Sequence, residues 1–299
     1  MFVSDILKAA DETRFSIEVY PPKTIPNPDE PSIQNHISAI FDTVEHLMKY
    51  DPIFISVTYN PAGKTKTTSI PIAAIIKQRF KVESVAHLTC IAMPPDELQR
   101  TLNVLEYFDI QNILALRGDI PEGVSSLPQG LQFASELVEA IGDRDHPFCI
   151  GVAGYPEGHP ECVAEDGGRD LQKDLMNFQT KVGNGASFGI TQLFLDNTFY
   201  FDYLNRVKKA GIDIPILPGI MPVTDTVTLD IVQKLCGASV PSSMKLKINN
   251  ALDDPEEVKE IGIEQAVQQC KGLMDKVPCI HFYTMDKWEP VERILDQLR

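Results

Sequence analysis

Eight short apolar runs recur along the chain, with helix-period sequence in most of the gaps between them. They span 15–20 (FSIEVY), 54–60 (FISVTYN), 85–92 (VAHLTCIA), 113–119 (ILALRGD), 148–155 (FCIGVAGY), 188–196 (FGITQLFLD), 214–223 (IPILPGIMPV) and 279–286 (CIHFYTMD). Near-continuous Val, Ile, Leu and Phe mark strands covered on both faces. Eight such strands alternating with helices predict an α/β fold, a (β/α)8 barrel whose active site lies at the carboxyl ends of the strands. A doubly wound open sheet is the alternative reading of the same alternation. Nearly every run ends on polar residues. A barrel therefore gathers Glu18, Thr58, Tyr59, His87, Arg117, Asp119, Tyr155, Gln192, His281 and Tyr283 at or near one mouth.

The gaps supply the helices. The N-terminal MFVSDILKAADE carries acids and no long apolar core, and reads as a short helix rather than a signal peptide. Helices are expected at about 36–49, 70–81, from Pro95, over 130–141 with Gly142 as the stop, over 170–182, and from Asn197 or Thr198 to Gly211. Val227, Ile231, Val232 and Leu235 repeat the apolar spacing once more. Two long loops break the pattern. Residues 21–32 (PPKTIPNPDEPS) are too rich in proline for helix or central strand. Residues 156–168 (PEGHPECVAEDGG) start at the expected mouth, and long loops within compact domains are usually functional.

Composition narrows the partners. With 299 residues at 43% hydrophobic, the chain can bury one large core, and no repeat or linker divides it. A formal charge of -15 argues against nucleic acid or an anionic membrane, so any anionic ligand must be held by local cations or backbone amides. No run approaches the length of a membrane span. Six cysteines at 90, 149, 162, 236, 270 and 279 have neither disulfide nor zinc spacing, and read as reduced, mostly buried thiols of a cytoplasmic protein.

The polar strand ends carry the candidate chemistry. In Leu116-Arg117-Gly118-Asp119 an arginine and an aspartate flank a glycine, where backbone can approach a ligand closely; the plainer alternative is an Arg117–Asp119 ion pair. Glu18 sits in an otherwise apolar strand. Apolar surroundings would raise its pKa toward general-acid use, whereas a salt bridge with Arg117 would make it structural. Gln192 offers a donor and an acceptor to a heterocycle edge, or merely fills the barrel interior. His87 and His159 lack the paired spacing of metal ligands, so a hydrogen-bonded packing role competes. Tyr59 and Tyr155 offer faces for stacking a ring. No strand ends on lysine, which removes the nucleophile of a Schiff-base aldolase. The loops after strands seven and eight lack glycine, so the common barrel phosphate site is missing there. Neither a G-x-G-x-x-G nor a P-loop occurs.

From residue 15 almost to the C-terminus these segments resemble one family. IEVYPPK, ISVTYN, AHLTC, LALRGD, GYPEGHPE, ITQLFLD, ILPGIMPV and HFYTMD stand in the order and spacing of the flavin-dependent methylenetetrahydrofolate reductases. The resemblance implies a single catalytic barrel over residues 1–299, without the S-adenosylmethionine-binding regulatory domain of eukaryotic members. It implies FAD as cofactor, NADH or NADPH as electron donor, and reduction of 5,10-methylenetetrahydrofolate to 5-methyltetrahydrofolate by ping-pong hydride transfer. It places Glu18 as the general acid, Asp119 at the flavin edge and the pterin, and Gln192 and Tyr283 on the folate. For FAD it points to Thr58, Tyr59, His87, Leu116, Arg117, Gly118, Asp119, Tyr155, His159, Asp174, Asn177, Lys181 and Ile190. No metal is implied, and a cytoplasmic homo-oligomer is expected. Thr180 stands where many members carry an arginine, and Thr226 where others carry an aromatic; the stretch from His159 to Asp174 is longer than in bacterial members. Two other readings accommodate these departures: a relative that has shed flavin, and a barrel subunit fed electrons by a partner protein.

Overall fold

The computed structural model describes residues 1–22, 31–59, 68–91, 93–119, 130–234 and 236–299. Most of the proline-rich stretch expected at the mouth lies outside these residues, as do the strand-end positions Asn60 and Ala92 and the helix position Leu235. The strands are β1 (Arg14–Val19), β2 (Phe54–Val57), β3 (Glu83–Thr89), β4 (Asn112–Leu116), β5 (Cys149–Gly154), β6 (Phe188–Thr191), β7 (Ile216–Leu217), β8 (Gly219–Ile220) and β9 (Cys279–Tyr283). All pair in parallel, in the order β7-β6-β5-β4-β3-β2-β1-β9-β8. The helices are α1 (Val3–Ala9), α2 (Pro31–Leu47), α3 (Ser69–Phe80), α4 (Pro95–Tyr107), α5 (Ala134–Gly142), α6 (Leu171–Gly183), α7 (Asn197–Lys209), α8 (Thr226–Lys234), α9 (Ser242–Asn250), α10 (Pro255–Leu273) and α11 (Trp288–Asp296). This is the (β/α)8 barrel, not the open sheet.

The seventh stave differs from expectation. Instead of one strand over 214–223, β7 pairs with β6 and β8 pairs with β9. Pro218 lies between them and has no N–H for either ladder. Its carbonyl accepts from His281 N at 3.0 Å, and Gly219 N turns to the Thr191 hydroxyl at 3.0 Å. The barrel thus closes through a broken stave. The sixth strand is also shorter than expected, ending at Thr191; Asp196 leaves the sheet to cap α7, accepting from Thr198 N at 2.9 Å. The helix expected from Gly130 begins at Ala134, because the Glu136 carboxylate takes the Gln132 and Phe133 N–H groups and holds them outside the first turn.

Side chains alternate across each strand. One face packs on the helices, where Ile17, Val19, Ile55, Val57, Ile113 and Val152 join the largest core cluster. The other faces the barrel axis, where Phe54, Val85, Leu114, Cys149, Phe188, Ile190, Leu217 and Cys279 meet Val3 and Leu7 of α1. That helix is tied to strand beginnings: Val3 N donates to Asn112 Oδ1 at 2.8 Å, and Asn112 Nδ2 donates to the Met1 carbonyl at 3.1 Å. α1 therefore stops the amino end of the barrel and leaves the carboxyl end for the site.

Candidate active site

Above this apolar layer the axis turns polar. Register places Glu18 between Ser56 of β2 and Tyr283 of β9, and Ser16 opposite His281. Glu18 Oε2 lies 3.2 Å from His87 Nε2 and 3.6 Å from His281 Nε2, and accepts from Ser56 Oγ at 3.3 Å. All four side chains are buried. His87 Nε2 is close enough for an ion pair but forms no aligned hydrogen bond. Burial alone would push the Glu18 carboxyl up; the charge of His87 and the close approach of both imidazoles outweigh it and hold the group well below the usual range. The expected apolar raising is thus reversed by partners the strand pattern did not reveal. The carboxyl is therefore ionised beside the two imidazoles, and burial lowers the pKa of His281. The expected Glu18–Arg117 bridge does not form.

Around the trio, the Tyr20 hydroxyl is driven well above its ordinary value, first by burial and then by Glu18. Tyr283 donates to the Thr191 carbonyl at 2.7 Å. Burial pushes Asp286 up to about 6, although Tyr20 N donates to it at 2.9 Å.

A second group of residues lies over the ends of β4, β5 and β6. An open cleft of about 1100 Å³ is lined by Leu116, Arg117, Tyr155, His159, Asp174, Asn177 and Lys181, together with Glu161, Cys162, Lys173 and Thr180. The chain reaches it through Gly118 at φ 86, a left-handed turn that favours glycine. Arg117 is held bidentately by Glu161, at 2.5 and 2.6 Å, in place of the expected pairing with Asp119. Asp119 is exposed. Tyr155 and His159 meet edge to face, their centroids 4.6 Å apart. Lys181 donates to the Ala153 carbonyl at 2.6 Å; burial brings its ammonium down to about 8, only partly offset by Asp174. Burial likewise raises Asp174 to about 6 against the pull of Lys181.

Not every expected residue joins these two groups. Ile190 packs in the apolar barrel interior, and Tyr59 in the core between strands and helices. His87 sits with Glu18 rather than in the cleft wall. Gln192 Oε1 accepts from the neighbouring Leu193 N at 2.9 Å, and Thr58 O accepts from Ser69 Oγ at 2.9 Å. Sequence reasoning missed Ser16, Ser56, Glu161 and Asp286. Ser16 was recoverable from the two-residue alternation that puts it on the same face as Glu18.

An ionised carboxylate among histidines lies beside a cleft that carries Arg117, Lys173 and Lys181. The family model of methylenetetrahydrofolate reductase matches residues 3–299. The chain belongs to the methylenetetrahydrofolate reductase family. It is 34% identical over 275 residues to 5,10-methylenetetrahydrofolate reductase of Escherichia coli, covering 92% of this chain and 86% of that one. It is 34% identical over 298 residues to methylenetetrahydrofolate reductase (NADH) 1 of Arabidopsis thaliana, covering 96% of this chain and 49% of the relative. The chain thus spans about half the length of the plant reductase. Among solved structures, a Clostridium thermocellum protein that binds two copies of 5-methyl-5,6,7,8-tetrahydrofolic acid matches with a TM-score of 0.61. The two are 15% identical, over 98% of this chain and 96% of that one, a likeness of fold.

Proposed function

We propose that this barrel reduces 5,10-methylenetetrahydrofolate to 5-methyltetrahydrofolate with FAD, taking electrons from NADH or NADPH. The observation that carries the reading is the pairing of a buried Glu18, set between two histidines, with an adjoining cleft where, among the described residues, Arg117, Lys173 and Lys181 face only Glu161 and Asp174. The cleft residues suit FAD. Lys181 is a half-buried ammonium that, among the described residues, donates to a neutral carbonyl, and Arg117 and Lys173 add positive charge, so a diphosphate is favoured there on an otherwise acidic protein. Tyr155 and His159 provide aromatic surface, and Arg117, Lys181, Asp174 and Asn177 would hold the cofactor. When bound, FAD supplies two-electron chemistry, accepting hydride from the nicotinamide and returning it to the folate methylene carbon.

The chain's own residues bind, orient and manage protons. Glu18, taking up a proton from solvent as the arriving folate desolvates it, passes that proton to a ring nitrogen of the folate, opening the five-membered ring to the reactive iminium. Asp119 accepts the pterin N–H groups, and Gln192 meets the same heterocycle once its amide leaves Leu193 N. Tyr283 closes the substrate side. Beside it a second cleft of about 700 Å³, lined by Thr224, Asp225, Ile231, Met285 and Lys287, leaves room for the rest of the substrate or for the nicotinamide.

The test is spectroscopic. Purified protein should carry an oxidised-flavin absorption band that NADH or NADPH bleaches anaerobically and methylenetetrahydrofolate then restores. A protein that cannot be reconstituted with FAD sinks the proposal. A flavin that neither nicotinamide bleaches points to a protein electron donor.

A further inference from the structure

Below Glu18 lies a line of buried hydrogen bonds that the reaction as proposed does not use. Burial drives the Cys279 thiol up to about 12, so it stays an S–H group, and of its two acceptors it donates to the nearer, Ser16 Oγ at 3.3 Å, over the Ile280 carbonyl at 3.6 Å. Ser16 Oγ, having accepted that hydrogen, lies 2.8 Å from His281 Nδ1 with its own hydrogen free to donate. Nδ1 is then an acceptor, which puts the imidazole hydrogen on Nε2. That hydrogen faces Ser56 Oγ at 3.4 Å, and Ser56 in turn donates to Glu18 Oε2 at 3.3 Å. Cys279, Ser16, His281 and Ser56 are fully buried, so no water competes for these partners. The opposite arrangement would turn the lone pair of Nε2 toward an ionised carboxylate 3.6 Å away, which electrostatics disfavours.

We propose that Ser16 is a positioning residue: through His281 it fixes the direction of a buried run of hydrogen bonds, every one donating toward the carboxylate of Glu18. The inference deepens the reductase reading and rests on it for the role of Glu18, but the direction of the run is a property of the protein alone. Its effect is to keep the carboxylate oriented and ionised between turnovers. Glu18 then takes up its proton only when a ligand reaches it. Other groups acting on Glu18 are His87 of β3, Tyr20 after β1, and Tyr283 and Asp286 of β9 and the turn that follows it; none of them depends on Ser16 for its hydrogen bonds.

Six histidines give a sparse nitrogen spectrum of the ¹⁵N-labelled protein, in which the His281 signals are those lost in His281→Gln. The wild type should show His281 as the Nε2–H tautomer. Ser16→Ala should move it toward Nδ1–H, and Ser16→Thr, which keeps the hydroxyl, should restore it. In the flavin-to-folate half-reaction, Ser16→Ala should shift the pH midpoint upward by about a unit, a tenfold change in the proton equilibrium, with Ser16→Thr close to wild type. A wild-type His281 in the Nδ1–H form overturns the proposal without any variant having to fold. Equal shifts in Ser16→Ala and Ser16→Thr overturn it as well. The expected tautomers in a protein without folate turnover would sink the reductase reading and sustain the directed run.

Discussion

Gly262 lies within α10 where the helix presses against the end of the seventh stave. A methyl group added there would stand 1.7 Å from the Val223 carbonyl oxygen and 2.6 Å from its carbon. Ordinary contact begins near 3.4 Å, so helix and stave would have to part by about 1.7 Å. Neither can move cheaply. Val223 is 1% exposed, and α10 buries Val258, Ile263, Ala266, Val267, Cys270 and Leu273. Overpacking of a core costs about 1–3 kcal/mol, and an obstacle made of backbone belongs at the upper end. Alanine returns about 1 kcal/mol of helix propensity. Gly262→Ala should therefore destabilise by about 2 kcal/mol. Unfolding entropy of about 2.1 cal/mol/K per residue sums to about 0.6 kcal/mol/K over the chain, so Tm should fall by about 3–4 °C in differential scanning calorimetry. Gly183→Ala supplies the control: that methyl meets nothing within 4 Å, and the substitution should be neutral or slightly stabilising. If both variants melt alike, at or above the wild type, the close approach of α10 is wrong. Because Val223 leads into Thr224 and Asp225 of the second cleft, the same variant should also bind ligand there more weakly.

Glu18→Gln should slow the folate half-reaction by about 10²- to 10⁴-fold in stopped-flow absorbance while leaving flavin reduction by the nicotinamide near wild type; equal loss in both would make Glu18 structural. Lys181→Met should weaken FAD binding by about 10- to 100-fold in a fluorescence titration, the worth of one charge-assisted hydrogen bond, and an unchanged affinity would remove Lys181 from the site. Since the ammonium titrates near 8, wild-type FAD affinity should decline from pH 7 to pH 9 as the proton is lost, and Lys181→Met should flatten that slope. Asp174 has its folded-state value raised to about 6, so its contribution to stability is present below about 4 and lost as pH rises through 6. Asp174→Asn should accordingly gain on the wild type by about 1–3 kcal/mol between pH 4 and pH 7 in urea titrations; parallel pH profiles would contradict the burial argument.

The barrel was legible because its strands are apolar runs of the right length and its helices begin on recognisable caps, such as Asp196 before α7 and Asp170 before α6. The break at Pro218 was signalled too: a proline in the middle of a central strand already argues against continuity. Glu18 stood out as a charge among Phe15, Ile17 and Val19, yet its environment did not. Ser16, Ser56 and Cys279 look like ordinary small residues of a strand. Their importance depends on which strands lie side by side, and β1 meets β9 only when the barrel closes over more than 260 residues of sequence. Glu161 was invisible for the same reason, since its hold on Arg117 joins a loop to a strand end 44 residues earlier. Lys181, by contrast, was reached by resemblance, and the structure adds its setting: a half-buried ammonium on the Ala153 carbonyl, only partly offset by Asp174.

The broken seventh stave also bears on how the molecule breathes. Every other join in the wall is a ladder of consecutive parallel pairs, but β7 and β8 each hold one neighbour through two registered residues. Local openings favour the stretch with the fewest cooperative hydrogen bonds. In hydrogen–deuterium exchange the Leu217, Gly219 and Ile220 amides should therefore label ahead of those of β3 and β4. The wall would part along a single seam, beside Tyr283 and the second cleft, while the Glu18 side of the barrel stays shut.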